Sequence, residues 1–199
     1  MGNLSSADLS VPNLEAPVES RTHRFPVTDP PPAVEVRNPS GSVTVEARDD
    51  ADEITVQITA LDSSAEQLLD RVDLFFTHAR LQVQVPERRL LRTPGFAISV
   101  ITPAGSSVRV AAASADTTLR GRLGDLELTT ASGDVTVAEC ASLELRTASG
   151  DARVGTVSGR MNSQLPDDDG AAGDGPAQLS LTLRSVSGDL RIRRVAPAS

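Results

Sequence analysis

The chain of 199 residues sets 27 acidic side chains against 19 basic ones, for a formal charge of -8 and an isoelectric point near 4.8, and it holds four Phe with no Trp or Tyr. That balance lacks the cationic footprint a phosphate backbone requires, and so few aromatics leave no stacking platform for bases or sugars, which sets nucleic acids aside as partners. The single cysteine, Cys140, rules out an internal disulfide framework, and the length suits one domain with an aliphatic core.

Residues 1–24 are polar, contain Pro12 and Pro17, show no periodicity, and are expected to form a disordered N-terminal tail. They carry no basic, apolar leader, and no run of about 18 apolar residues occurs anywhere, so the expectation is a cytoplasmic chain without a membrane span. Phe25-Pro26-Val27-Thr28 opens the ordered part, a single domain over 25–195, with 196–199 as a C-terminal tail. Alternation at Ile54–Ile58, Leu81–Val85 and Ile98–Ile101 predicts strands, and Ser64–Val72 predicts one short helix capped by Ser64. The N-terminal half is thus β-rich but less regular than the C-terminal half. Residues 166–176, rich in Asp and Gly, are expected to be an exposed loop.

Sliding the chain against itself exposes a repeat. Leu126-Glu-Leu-Thr-Thr-Ala-Ser-Gly-Asp-Val-Thr-Val137 returns 17 positions later as Leu143-Glu-Leu-Arg-Thr-Ala-Ser-Gly-Asp-Ala-Arg-Val154. A further copy, Leu181–Ile192, comes at an offset of 38, two periods plus four residues. Fainter copies occupy Val108–Leu119, offset by 18 from the first clear one, and Val34–Val45. Each has two apolar residues at the strand spacing of two, a Ser-Gly-Asp corner or its variant, and a second apolar pair. Gly supplies a positive φ at the corner, and the Ser and Asp oxygens can accept hydrogen bonds there. Ala115 replaces that Gly in one copy, which predicts a different corner geometry or local strain.

Regular strand-corner-strand units of this kind stack as coils, with identical positions about 4.8 Å apart. The predicted fold is all-β: a parallel β-solenoid with a less regular N-terminal β portion and at most one short helix. Leu128 should lie over Leu145, and Val137 over Val154. Three Arg on Leu190–Val195 give the last strand a charged edge.

No catalytic site emerges. The two histidines, His23 and His78, fall in no motif, one Cys cannot build a zinc site, and the glycines recur singly instead of forming a phosphate loop. No cofactor is expected. The corner aspartates Asp134, Asp151 and Asp189 are the candidate site residues. Stacked carboxylates repel by about 0.9 kcal/mol at water-like dielectric, so calcium or local compensation is implied. Corner hydrogen bonds and the neighbouring Arg153 and Arg191 are the plainer compensation.

The Ser-Gly-Asp coils, with Phe25-Pro26-Val27-Thr28, Asn38–Val45 and Val100–Val108, resemble the bacterial putative-adhesin family, a β-strand-repeat domain of unknown function, over about residues 25 to 195. The resemblance implies a right-handed β-solenoid scaffold, which makes the expected fold a right-handed parallel β-solenoid. The expected function is a non-enzymatic scaffold or interaction module with a protein partner, existing as a monomer or small homo-oligomer; the alternative is a self-assembling polymer subunit of the bactofilin kind.

Overall fold

The alternating aliphatic runs become strands in the computed structural model, which describes residues 19–27, 29–86, 93–157, 182–184 and 190–192. The elements in chain order are β1 (Ser20–Pro26), β2 (Ala33–Arg48), β3 (Glu53–Ala60), helix α1 (Ser63–Glu66) with a 3₁₀ turn (Leu69–Arg71), β4 (Asp73–Thr77), β5 (Arg80–Gln84), β6 (Phe96–Pro103), β7 (Ser107–Thr130), β8 (Val135–Thr147), β9 (Ala152–Val157), β10 (Thr182–Arg184) and β11 (Leu190–Ile192).

Three of these strands are too long to belong to one flat layer, because each passes through a corner. β2 bends near Gly41 into a first limb, residues 33–37, and a second limb, residues 41–48. The first limb pairs in parallel with β5 on one side and β7 on the other, so Val34 stands between Leu81 and Val108. The second limb pairs in parallel with β6 and with the next stretch of β7, so Val45 stands between Val100 and Leu119. β7 then turns back upon itself: Gly124 N–H donates to Ser106 O at 2.9 Å, and Arg109 pairs with Glu127.

Coils continue through β8 and β9. Leu128 is in register with Leu145 and Val135 with Ala152, while β10 and β11 extend the two limbs through Leu145 to Leu183 and Val154 to Ile192. Every column expected from the 17-residue spacing is therefore formed by backbone pairing. One column runs from Val56 through Val100, Val45, Leu119 and Val137 to Val154, and all six side chains are buried. The 18-residue offset ahead of Leu126 has a local cause. Between Leu119 and Arg122, β7 spends one more residue than β8 does between Val137 and Glu139, a bulge at Gly121 with φ +75°.

The sheet is mixed, so the parallel pairing expected of the solenoid is joined by antiparallel pairing in the N-terminal portion that was expected to be less regular. β1 with β3, β3 with β6, and β4 with β5 are antiparallel. These strands extend both limbs beyond β2, where Phe25 and Phe76 meet with ring centroids 5.0 Å apart. The strand period of two is the same in both pairing modes, so alternation alone does not separate them. β1 begins at Ser20, five residues ahead of the expected start at Phe25.

The helix is also shorter than expected and capped by a different residue. Asp62 Oδ1 accepts the Ala65 N–H at 2.9 Å while its Oδ2 accepts the Gly95 N–H at 2.8 Å, so a long-range bond fixes the cap that Ser64 was expected to provide.

Candidate functional site

The corners form a ladder along one border of the stack. Gly133 (φ +120°) and Gly150 (φ +110°) occupy backbone conformations that side chains rarely adopt, and a Cβ on either would lie within 3.0 Å of the carbonyl oxygen one coil below. Close approach lets the polar residues beside each glycine serve the neighbouring coil. Ser149 Oγ donates to Ala131 O at 3.2 Å, and Thr147 Oγ1 donates to Ser149 O at 2.8 Å; Ser132 and Thr130 repeat these bonds one coil earlier.

Asp134 and Asp151 occupy successive rungs. The Asp151 N–H donates to Asp134 Oδ1 at 3.1 Å, and the Asp134 N–H donates to Asp116 Oδ1 at 3.0 Å. Arg153 lies 3.5 Å from Asp151. Asp134 and Asp116 thus each spend an oxygen on the main chain of the next coil, a local form of compensation for stacked negative charge. Asp189 lies outside the described residues. Asp116 is a rung that the candidate set omitted, although it holds the equivalent position in the Val108–Leu119 copy. Ala115 has no positive φ and sits inside the unbroken strand β7, so its corner differs in geometry from the glycine ones.

At the first coil the corner is bracketed by Asn38. This residue is fully buried, and its Nδ2 donates to Phe96 O at 2.8 Å and to Ser42 O at 3.1 Å, tying β6 to the bend of β2. Its Oδ1 is buried with no hydrogen-bond partner among the described residues.

A shallow cavity of about 420 Å³ opens on the first limbs, bounded by Arg80, Glu35, Arg109, Asp125, Glu127 and Glu144. Its charges are mostly paired: Glu35 with Arg37 and Gln82, Arg109 with Glu127, and Glu144 with Arg146, while Ser142 Oγ donates to Asp125 Oδ1 at 2.5 Å. The Gln82 hydrogen bond, opposed by partial burial and aided by Arg37 and Arg109, holds the Glu35 carboxyl below its ordinary range.

Acid–base chemistry finds little footing among these groups. His23 is exposed on β1 and His78 sits in the β4–β5 turn. Burial, with Glu139 and Asp125 adding negative charge, pushes the Cys140 thiol up to about 12, far from a reactive thiolate at neutral pH. Among the described residues no three His, Cys, Asp or Glu side chains gather as a metal site, and no helix is long and apolar enough to cross a membrane.

The class defined by this geometry is an all-β repeat domain whose corners are glycine-aspartate rungs. The chain belongs to the Toastrack DUF4097 family, whose model matches residues 33–198, in keeping with the adhesin-like resemblance of its repeats. Among solved structures, a putative cell adhesion protein from Clostridium sporogenes aligns with a TM-score of 0.60 at 7% identity, covering 88% of this chain and 98% of that one. A putative adhesin from Parabacteroides distasonis aligns with a TM-score of 0.38 at 12% identity, covering 87% of this chain and 78% of the other. The first of these likenesses shows shared fold, not shared function. No curated protein matches the chain.

Proposed function

We propose that this protein is a non-enzymatic, adhesin-like interaction module whose coils wind as a right-handed parallel solenoid and whose partner is a protein. The observation that carries the reading is the outer face of the first limbs, where Glu35, Arg109, Asp125, Glu127 and Glu144 are each held by a neighbour in a fixed pattern of charge. A surface ordered before its partner arrives loses less side-chain freedom on binding, and a fixed, mainly acidic pattern with Arg109 set into it gives specificity for a complementary one. A hydrolase would instead need a base and a nucleophile held within hydrogen-bond reach. In this reading the corner aspartates Asp134 and Asp151 are structural rungs that hold the coils in register, with Asp189 assigned the same role by its place in the repeat.

The test is capture of host proteins on immobilised chain, repeated with Arg109→Glu and Glu144→Lys. A defined set of proteins should be retained by the wild type and lost with either variant, at unchanged melting temperature. Retention that ignores both reversals would remove the outer face as the recognition surface.

A further inference from the structure

Both limbs end beyond β2 in an open edge: among the described residues β1 pairs only with β3, and β4 only with β5. Such an edge offers unpaired N–H and C=O groups to any strand unless charge, proline or cover blunts it. β1 is blunted by Arg21, His23, Arg24 and Pro26. β4, reading Asp73-Leu74-Phe75-Phe76-Thr77, has one charge and no proline, and Phe75 is 59% exposed, more than any other large apolar side chain described.

We propose that β4 pairs edge to edge with β4 of a second copy, antiparallel about a two-fold axis at Phe75, to form a closed homodimer. This register pairs all five residues of each strand, with Asp73 opposite Thr77, Leu74 opposite Phe76, and Phe75 opposite itself. It also extends the antiparallel β4–β5 hairpin without changing which face is apolar.

Charge complementarity favours a second copy as the occupant. Within one copy Thr77 is in register with Arg80, and neither Asp73 nor Arg80 has an ion-pair partner among the described residues. Pairing brings each Asp73 into line with the other copy's Thr77 and, one strand further, with its Arg80. Two strand spacings, about 9.6 Å between backbones, separate the two charges, and the long guanidinium reaches the carboxylate over a small hydroxyl. The two-fold axis supplies this bridge twice and sets the Phe75 rings side by side between two Gln82 residues. A two-fold contact uses the same edge of both copies, so association stops at two.

This proposal deepens the interaction-module reading by naming the chain itself as one partner, yet it fails separately: a monomeric chain refutes the dimer and leaves the capture experiment undisturbed. Sedimentation equilibrium of the full chain should show a monomer–dimer equilibrium. Phe75→Lys should weaken it by about tenfold or more, with an unchanged circular dichroism spectrum. Asp73→Arg should weaken it as well, and adding Arg80→Asp should restore it. Phe75→Cys should cross-link on oxidation, because facing Cα atoms about 4.5–5.5 Å apart suit a disulfide, while the wild type, with Cys140 buried, should not. A wild type that stays monomeric at every concentration, or association that Phe75→Lys leaves intact, overturns the proposal; an associating Phe75→Cys chain that fails to cross-link overturns its register.

Discussion

Placing Ala at Gly150 tests whether the coils are held by close approach of their corners. The substitution brings two penalties: a φ of +110° that an L side chain resists, and a Cβ within 3.0 Å of the Gly133 carbonyl. Two other glycines carry these penalties singly. At Gly105 (φ +81°) a Cβ would meet nothing nearer than Pro31 Cγ at 3.7 Å, so Gly105→Ala isolates the backbone cost, about 1–2 kcal/mol. Gly155 has no positive φ, but its Cβ would fall within 3.0 Å of Ala138 O, so Gly155→Ala isolates the contact, about 1–3 kcal/mol. The sum predicts a loss of about 2–5 kcal/mol for Gly150→Ala. At about 2–4 °C per kcal/mol for a chain of this size, its melting temperature should fall by about 4–20 °C. Urea and thermal melts followed by circular dichroism would rank the three variants. Should Gly150→Ala cost no more than Gly105→Ala, the corner is not gripped by the coil below, and the account of the ladder fails.

The same geometry sets four further outcomes. Native protein should resist iodoacetamide at neutral pH because the Cys140 thiol is buried and pushed up to about 12, and it should be alkylated promptly in denaturant; fast native labelling would contradict the burial. Glu35 has a folded pKa below its ordinary value of 4.5, so its contribution to stability is complete above that pH and is lost as pH falls through the folded value; Glu35→Gln should flatten the acid limb of a stability–pH curve. The β4–β5 turn holds His78 at φ 49° and Ala79 at φ 59°, so His78→Asn with Ala79→Gly should raise stability by about 1 kcal/mol in urea melts. Asn38→Ala removes the donor shared by Ser42 O and Phe96 O, and it should cost about 2–4 kcal/mol, with a loss under about 0.5 kcal/mol refuting its bracketing role.

The coil stack was legible because the repeat states its own register. Aliphatic pairs at fixed distances from a Ser-Gly-Asp corner name their neighbours, and Leu128 with Leu145 and Val137 with Val154 are paired as the spacing demands. Even the irregular offset of 18 is meaningful, for the extra residue is the bulge beside Gly121. The antiparallel strands were not legible to the same degree. Ile54–Ile58 and Ile98–Ile101 announce strands by alternation, but the direction in which each pairs depends on how residues 49–52 and 61–95 route the chain, and no local pattern encodes that.

The corner chemistry shows the same division between local and non-local information. Sequence places Asp134 and Asp151 at equivalent corners and raises the question of their repulsion; only the backbone path shows that the Asp116 and Asp134 carboxylates each face an amide of the adjoining coil. Those bonds place Asp116 with the later rungs, while its register partner at the first corner is Ser42. Asp116 accepts the amide of Asp134 above it, whereas Ser42 lies where Asn38 already uses its carboxamide to bind Ser42 O and Phe96 O. An acidic rung is useful where the next coil presents an amide at the corner, and an amide side chain is useful where neighbouring strands present carbonyls. Fastening by Asn38 therefore belongs to the corner where β6 is tied to the bend of β2, and fastening by Asp116 and Asp134 to the part in which coils repeat in parallel.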